Sequence, residues 1–144
     1  MDDLQFQELE RKKRYLKRYK KNVALVNRLE EKLVDLNERI YKVKSPSFSG
    51  MPKGSQPVEL SDLISDKEEL IARIERLKIK SKNLKAETLE IIDDLDDVRY
   101  AEILESFLID LKSLEDIAEE QGYSVRHIER LYSEAINSVV LMSV

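Results

Sequence analysis

All three prolines and two of the three glycines of this 144-residue chain fall within one stretch, Lys44–Pro57 (KSPSFSGMPKGSQP). Proline removes a backbone donor and glycine loosens the backbone, so both punctuate helices. With the breakers gathered in one place, the chain is left with long uninterrupted segments on either side. It can fold as long helices joined by a loop, and the stretch itself is expected to be exposed, with protease cleavage near Lys53.

The apolar spacing agrees. Before the loop, Leu29, Leu33, Leu36, Ile40 and Val43 step alternately by four and three, which keeps one seam on a helix. Upstream, Leu9, Leu16 and Val23 step by seven. After the loop a helix is predicted to start near Ser61 or slightly before, with Ser61 or Asp62 as caps. There Leu63, Leu70, Leu77, Leu84, Ile91 and Val98 recur at every seventh position. Ile74 and Leu95 hold companion positions, while Lys67, Ser81 and Thr88 weaken that second row. At ~1.5 Å per residue this helix is roughly 50 Å long. The two long helices are expected either to fold against each other as an antiparallel hairpin or to pair between subunits.

Charged residues make up 38% of the chain and hydrophobic ones 42%, which favours charged helices with an apolar seam over disorder. No apolar run approaches the ~18 residues of a membrane span, and MDDLQFQELERKKR lacks an apolar signal core, so an intracellular chain is expected. Without cysteine, disulfides and thiol chemistry are excluded. The net charge of −4 hides a segregation: Arg11–Lys21 (RKKRYLKRYKK) holds 8 of the 25 basic residues and no acid. Lys12, Lys13 and Arg14 are therefore candidates for phosphate contact, against the plainer reading of a solvated helix face.

A helix is predicted over Arg99–Ile109, followed by SLEDIAEEQGYSVRHIERLYSEAI (113–136). Here two short helical patterns flank a single glycine. Ile117 and the small Ala118 point inward, and Gly122 ends the first helix with the positive φ that glycine tolerates. Tyr123 and Val125 occupy the turn, Ser124 caps the second helix, and Ile128 and Leu131 point back. These are the requirements of a helix-turn-helix, whose second helix is offered to a DNA major groove. Ser124, Arg126, His127, Glu129, Arg130 and Ser133 remain outside. The bland alternative is an ordinary helical hairpin.

The stretch YAEILESFLIDLKSLEDIAEEQGYSVRHIERLYSEAINSV resembles the fourth region of bacterial sigma factors, which reads the −35 promoter element. The resemblance rests on Ile103 and Leu104, on Ser113 to Glu120, on Gly122 and Ser124, and on Ile128 and Ala135. The whole chain is similar to phage regulators of the ArpU/RinA family, with their amino-terminal helical region, a loop like SPSFSGMPKGS, a long helix and a sigma-like helix-turn-helix. That resemblance implies a transcriptional regulator of phage late genes or phage-derived elements, acting in the cytoplasm of a bacterial host cell with RNA polymerase as a protein partner. In one departure, family members often carry glycine just before the serine of the first motif helix, where this chain has DLKS with Leu111 and Lys112.

Other constellations carry less. His127 is the only histidine and has no companion for a metal. Asp93, Asp94, Asp96 and Asp97 lack the glycine turn and spaced ligands of a calcium loop and read as a charged helix end. GMPKGS lacks the residue order and the preceding strand of a phosphate-binding loop. The tail INSVVLMSV is apolar enough to pack on the preceding helices. No nucleophile, base and orienting acid assemble, so no enzyme, cofactor or metal is expected.

The sequence is thus expected to give an all-α protein. Residues 1–97 would form a helical hairpin or coiled-coil arm with its loop at 44–58, and residues 98–144 a sigma-like helix-turn-helix DNA-binding domain. Its partner would be double-stranded DNA, with Arg126, His127 and Arg130 at base edges and Lys112, Ser113 and Ser124 nearer the phosphates. A homodimer through the seams would suit paired half-sites. Two rivals stand beside this: a coiled-coil protein-interaction module, and a non-specific nucleic-acid adaptor working through the basic amino-terminal helix.

Overall fold

The computed structural model describes residues 2–44 and 56–141, with the backbone alone for 56–58. Among the described residues the protein is all-helical. The elements are α1 (Asp3–Leu16), α2 (Arg18–Lys44), α3 (Gln56–Asp93), α4 (Val98–Leu104) continued by a π-helical turn (Glu105–Ile109), α5 (Leu114–Gln121) and α6 (Val125–Ser138). No helix is long and apolar enough to cross a membrane among the described residues. The expected exposure of the loop and its cleavage near Lys53 lie outside the described residues.

Helix α3 begins before Ser61 and Asp62, which are internal rather than capping. Pro57 is accommodated because the first turn of a helix has no internal acceptor for the N–H that proline lacks. Between α1 and α2 the chain bends at Lys17 (φ −82°, ψ 0°). There Arg18 Nε donates to the Tyr15 carbonyl at 2.8 Å. A side chain inserted into the backbone ladder is a recognised cause of such a break.

The packing resolves into two compact units: residues 23–80, and residues 1–22 together with 81–144. The expected division at residue 97 follows chain order instead. The packing departs from it because Leu9 and Leu16 of α1 and Ile92 of α3 share one core with α4, α5 and α6.

In the unit of residues 23–80, α2 and α3 run antiparallel. Val26 and Leu29 meet Ile74, while Leu36 and Ile40 meet Leu63. Leu33, Leu70 and Leu77 flank these contacts, so this seam closes within one chain.

In the other unit, Leu104, Leu108, Ile128, Ala135 and Ile136 are fully buried. Phe107 and Tyr132 meet edge to face, 4.9 Å between centroids. Of the weak second row in α3, Thr88 is buried, and Ser81 accepts a 2.6 Å hydrogen bond from the amide of buried Asn22. Two polar side chains that satisfy one another avoid most of the desolvation cost. The sevenfold row does not reach Val98. It starts α4 beyond a break at Asp94–Asp97 and is 67% exposed. Of the apolar tail, Val139 is buried and Leu141 packs on the core, whereas Val140 is 84% exposed.

Candidate nucleic-acid interface

Helices α5 and α6 are each started by a serine. Ser113 Oγ accepts from the Asp116 amide at 3.0 Å, and Ser124 Oγ accepts from the His127 amide at 3.1 Å. Each hydroxyl thus occupies a donor left over at a helix start. Both stay able to donate their own hydrogen to a phosphate oxygen. Between the helices Gly122 adopts φ 72°, ψ 28°, and the Tyr123 amide donates to the Ala118 carbonyl at 2.9 Å. Buried Ile117 and Ala118 from α5 and Ile128 from α6 fill the space the turn creates. Val125, expected in the turn, is already the first residue of α6 and half-buried.

The turn places a small polar cluster at the amino-terminal end of α6. His127 Nδ1 lies 3.1 Å from Arg130 Nη2. A guanidinium can only donate, so Nδ1 must accept, which assigns the proton of the neutral ring to Nε2. The Tyr123 ring leans on His127 at 4.7 Å. Arg126 is exposed and, like Arg130, forms no ion pair among the described residues. A cleft of about 440 Å³ is lined by Arg99, Tyr123, His127 and Arg130 together with two acids, Glu102 and Glu134. Arg99 and Tyr123 were not among the sequence candidates. Tyr123 could have been found from its four-residue spacing to His127, whereas nothing in the local sequence brings Arg99 to α6.

Other cations are already engaged. Lys112 Nζ meets Glu120 Oε2 at 3.0 Å, and that hydrogen bond holds its ammonium pKa above the ordinary value. Arg99 pairs with Asp97 at 3.0 Å. Residues 98–144 contain four Lys or Arg and nine Asp or Glu, so attraction to polyanions must come from the local face rather than from the segment as a whole.

The basic helix is part of the folded unit. Lys12 Nζ donates to the Asn137 carbonyl at 3.2 Å, near the far end of α6 from Arg126. Lys13 lies 3.6 Å from Glu10 and 5.7 Å from the Tyr132 ring. Lys17 and Lys20 stand over Phe107, at 5.8 and 3.7 Å from its centroid. Burial, and then the neighbouring Lys17 charge, lower the pKa of Lys20. Tyr15 and Arg18 both donate to Glu87. Of the three candidate phosphate contacts, Arg14 is the exposed one. Lys12 and Lys13 sit along α6 from the Arg126 cluster rather than beside it. From residue 126 to residue 137 the rise is roughly 16 Å.

Among the described residues no group of three or more His, Asp or Glu side chains converges on a metal position. The chain matches no family model, no curated protein and no solved structure.

Proposed function

We propose that this chain is a sequence-specific DNA-binding transcriptional regulator of the phage type that it resembles, acting at promoters with RNA polymerase. Helix α6 lies in the major groove. The observation that carries the reading is the cluster at the start of α6. Two arginines that form no ion pair among the described residues and a histidine with its neutral-ring proton on Nε2 stand beside a glycine turn between two serine-capped helices. All three side chains carry N–H donors, the complement of the N7 and O6 acceptors of guanine. Lys112, Ser113 and Ser124 flank them toward the phosphates, and Lys12, Lys13 and Arg14 contact backbone farther along the duplex.

The test is selection of bound sequences from random duplexes, followed by titration of variants. Arg126→Ala and Arg130→Ala should each cost about 1–3 kcal/mol on the selected site and much less on unrelated DNA. Replacing Lys12, Lys13 or Arg14 should weaken all DNA alike and reduce the log–log salt slope by about 0.9 for each phosphate no longer neutralised. Equal weakening of specific and non-specific binding in the arginine variants would overturn the role given to α6. A second reading has its own support. The nine acids and four bases of residues 98–144 suit a protein-interaction module, for which selection would enrich no motif.

A further inference from the structure

One cleft in the unit of residues 1–22 and 81–144 shares no lining residue with the cleft at the start of α6. It has a volume of about 740 Å³ and sits where α3 ends and the chain turns into α4. Its floor is apolar: Ile91, Leu95 and Leu141, beside the 84% exposed Val140. Its rim is acidic: Glu90, Asp94 and Asp96 line it and make no ion pair among the described residues. Two further carboxylates at the cleft are already used, Glu87 by Tyr15 and Arg18 and Asp97 by Arg99.

The acids are badly placed for stability alone. The carboxy-terminal end of a helix carries partial negative charge and favours cations. The last turn of α3 has no basic residue, and Asp93 and Asp94 stand at its end. Charges that oppose the local electrostatics are expected where a surface serves a partner. An apolar floor inside an anionic rim repels nucleic acid and selects a ligand that is both cationic and apolar. The carboxylates do not converge as metal ligands. The chain's own basic segment cannot supply the ligand from a second copy without unfolding, because Leu16 is buried and Lys17 and Lys20 lie on Phe107.

We propose that this cleft docks a cationic amphipathic peptide segment of a protein partner, apolar side chains on Ile91, Leu95 and Val140 and lysines or arginines against Glu90, Asp94 and Asp96. The inference stands whether or not α6 reads DNA.

The probe is a fluorescein-labelled amphipathic helical peptide of lysine and leucine, titrated by anisotropy with the full chain. Saturable one-to-one binding is expected. Charge reversal by Glu90→Lys with Asp94→Lys should weaken it by about tenfold or more, because like charges then face each other. Val140→Ser should weaken it severalfold without touching the core. The control pair Glu115→Lys with Glu119→Lys makes the same charge change on α5 and should leave binding within about twofold. The reversed pair should melt no lower than the wild type, since it places cations at the end of α3, so weaker binding cannot come from failed folding. DNA affinity of the Val140→Ser variant should be unchanged, which separates this test from that of α6. Three results overturn the proposal: no saturable binding to wild type, equal weakening by the α5 control, or an unaffected reversed pair. Stabilisation by magnesium but not by the peptide would make the cleft a cation site and also overturn it.

Discussion

Residues 23–80 bury their leucines in a seam between two helices, while residues 1–22 and 81–141 bury theirs in a core assembled from five helices and a π-helical turn. The buried side chains of the hairpin fall into two small groups of three, Val26, Leu29 and Ile74, then Leu36, Ile40 and Leu63. The other unit gathers fifteen into one cluster. A two-helix seam has solvent on both flanks and no third layer, so each of its contacts is replaceable by a small rotation. A multi-helix core cannot relax that way, because its interior is close-packed from all sides. The core unit also holds the irregular features: a leucine at positive φ, a buried phenol hydroxyl with no hydrogen-bond partner among the described residues, and acids at the end of α3. The hairpin holds none of these among its described residues. Sites that break local rules sit where a surrounding structure can hold them.

The largest expected effect sharpens this difference. Leu104 is fully buried at the junction of α4 and the π-helical turn. Leu104→Ala should destabilise the core unit by about 2–5 kcal/mol, because the cavity cannot collapse. Thermal melting monitored by circular dichroism would measure it, and a decrease under about 1 kcal/mol would mean this core is as pliable as the hairpin.

The next effect belongs to the hairpin. Leu77 is half-buried against the Val26, Leu29 and Ile74 group. Leu77→Asp should cost about 1–3 kcal/mol by setting a carboxylate into that seam, with helicity disappearing first between residues 23 and 80. Amide hydrogen exchange would locate the change. Unchanged melting and exchange would mean the seam contributes nothing to the fold.

The same contrast decides what could be read from the sequence. A hairpin seam is a local pattern, so the steps from Leu29 to Val43 and from Leu63 to Leu77 foretold it. The row failed at Val98, where the sevenfold spacing continues by coincidence after the helix has ended. Leu9 and Leu16 were legible as a stripe, but their partners on α6 lie more than a hundred residues away, beyond any periodicity. The basic run was legible as charge, not as Lys17 and Lys20 lying on Phe107. At the candidate site, Gly122 and the serine caps could be read because each solves a local backbone problem. The cleft at the end of α3 could not, because it is made by segments that meet only in the fold.

A smaller effect tests the tolerance of the core unit for imperfection. Tyr132 Oη is buried with no hydrogen-bond partner among the described residues, and burial pushes the phenol pKa well above its ordinary value. Removing an unsatisfied hydroxyl while keeping the ring on Phe107 should stabilise. Tyr132→Phe is expected to raise stability by about 1 kcal/mol in denaturant titration. A decrease of that size would show that a bound water satisfies the hydroxyl and that the core has no such defect.

The smallest effects come from the two ends of α5, where the chain passes through left-handed backbone twice, at Leu111 (φ 62°) and at Gly122 (φ 72°). An added Cβ at Gly122 meets nothing within 4 Å, so space does not forbid a side chain there. Gly122→Ala should therefore cost only the backbone penalty, about 1 kcal/mol. Leu111 already bears that penalty, and its relief depends on the replacement. Leu111→Gly removes the strain but adds freedom to the unfolded chain and gives up the partial burial of the leucine, so it should change stability by less than about 0.5 kcal/mol. Leu111→Asn tolerates the left-handed region without the entropy of glycine, and it should gain a few tenths, roughly. The ordering is the test: Gly122→Ala below wild type, Leu111→Gly near it, Leu111→Asn slightly above, all by denaturant titration. If Leu111→Gly and Leu111→Asn both destabilise strongly, the leucine side chain holds the connector in place, and its packing outweighs the strain of its backbone.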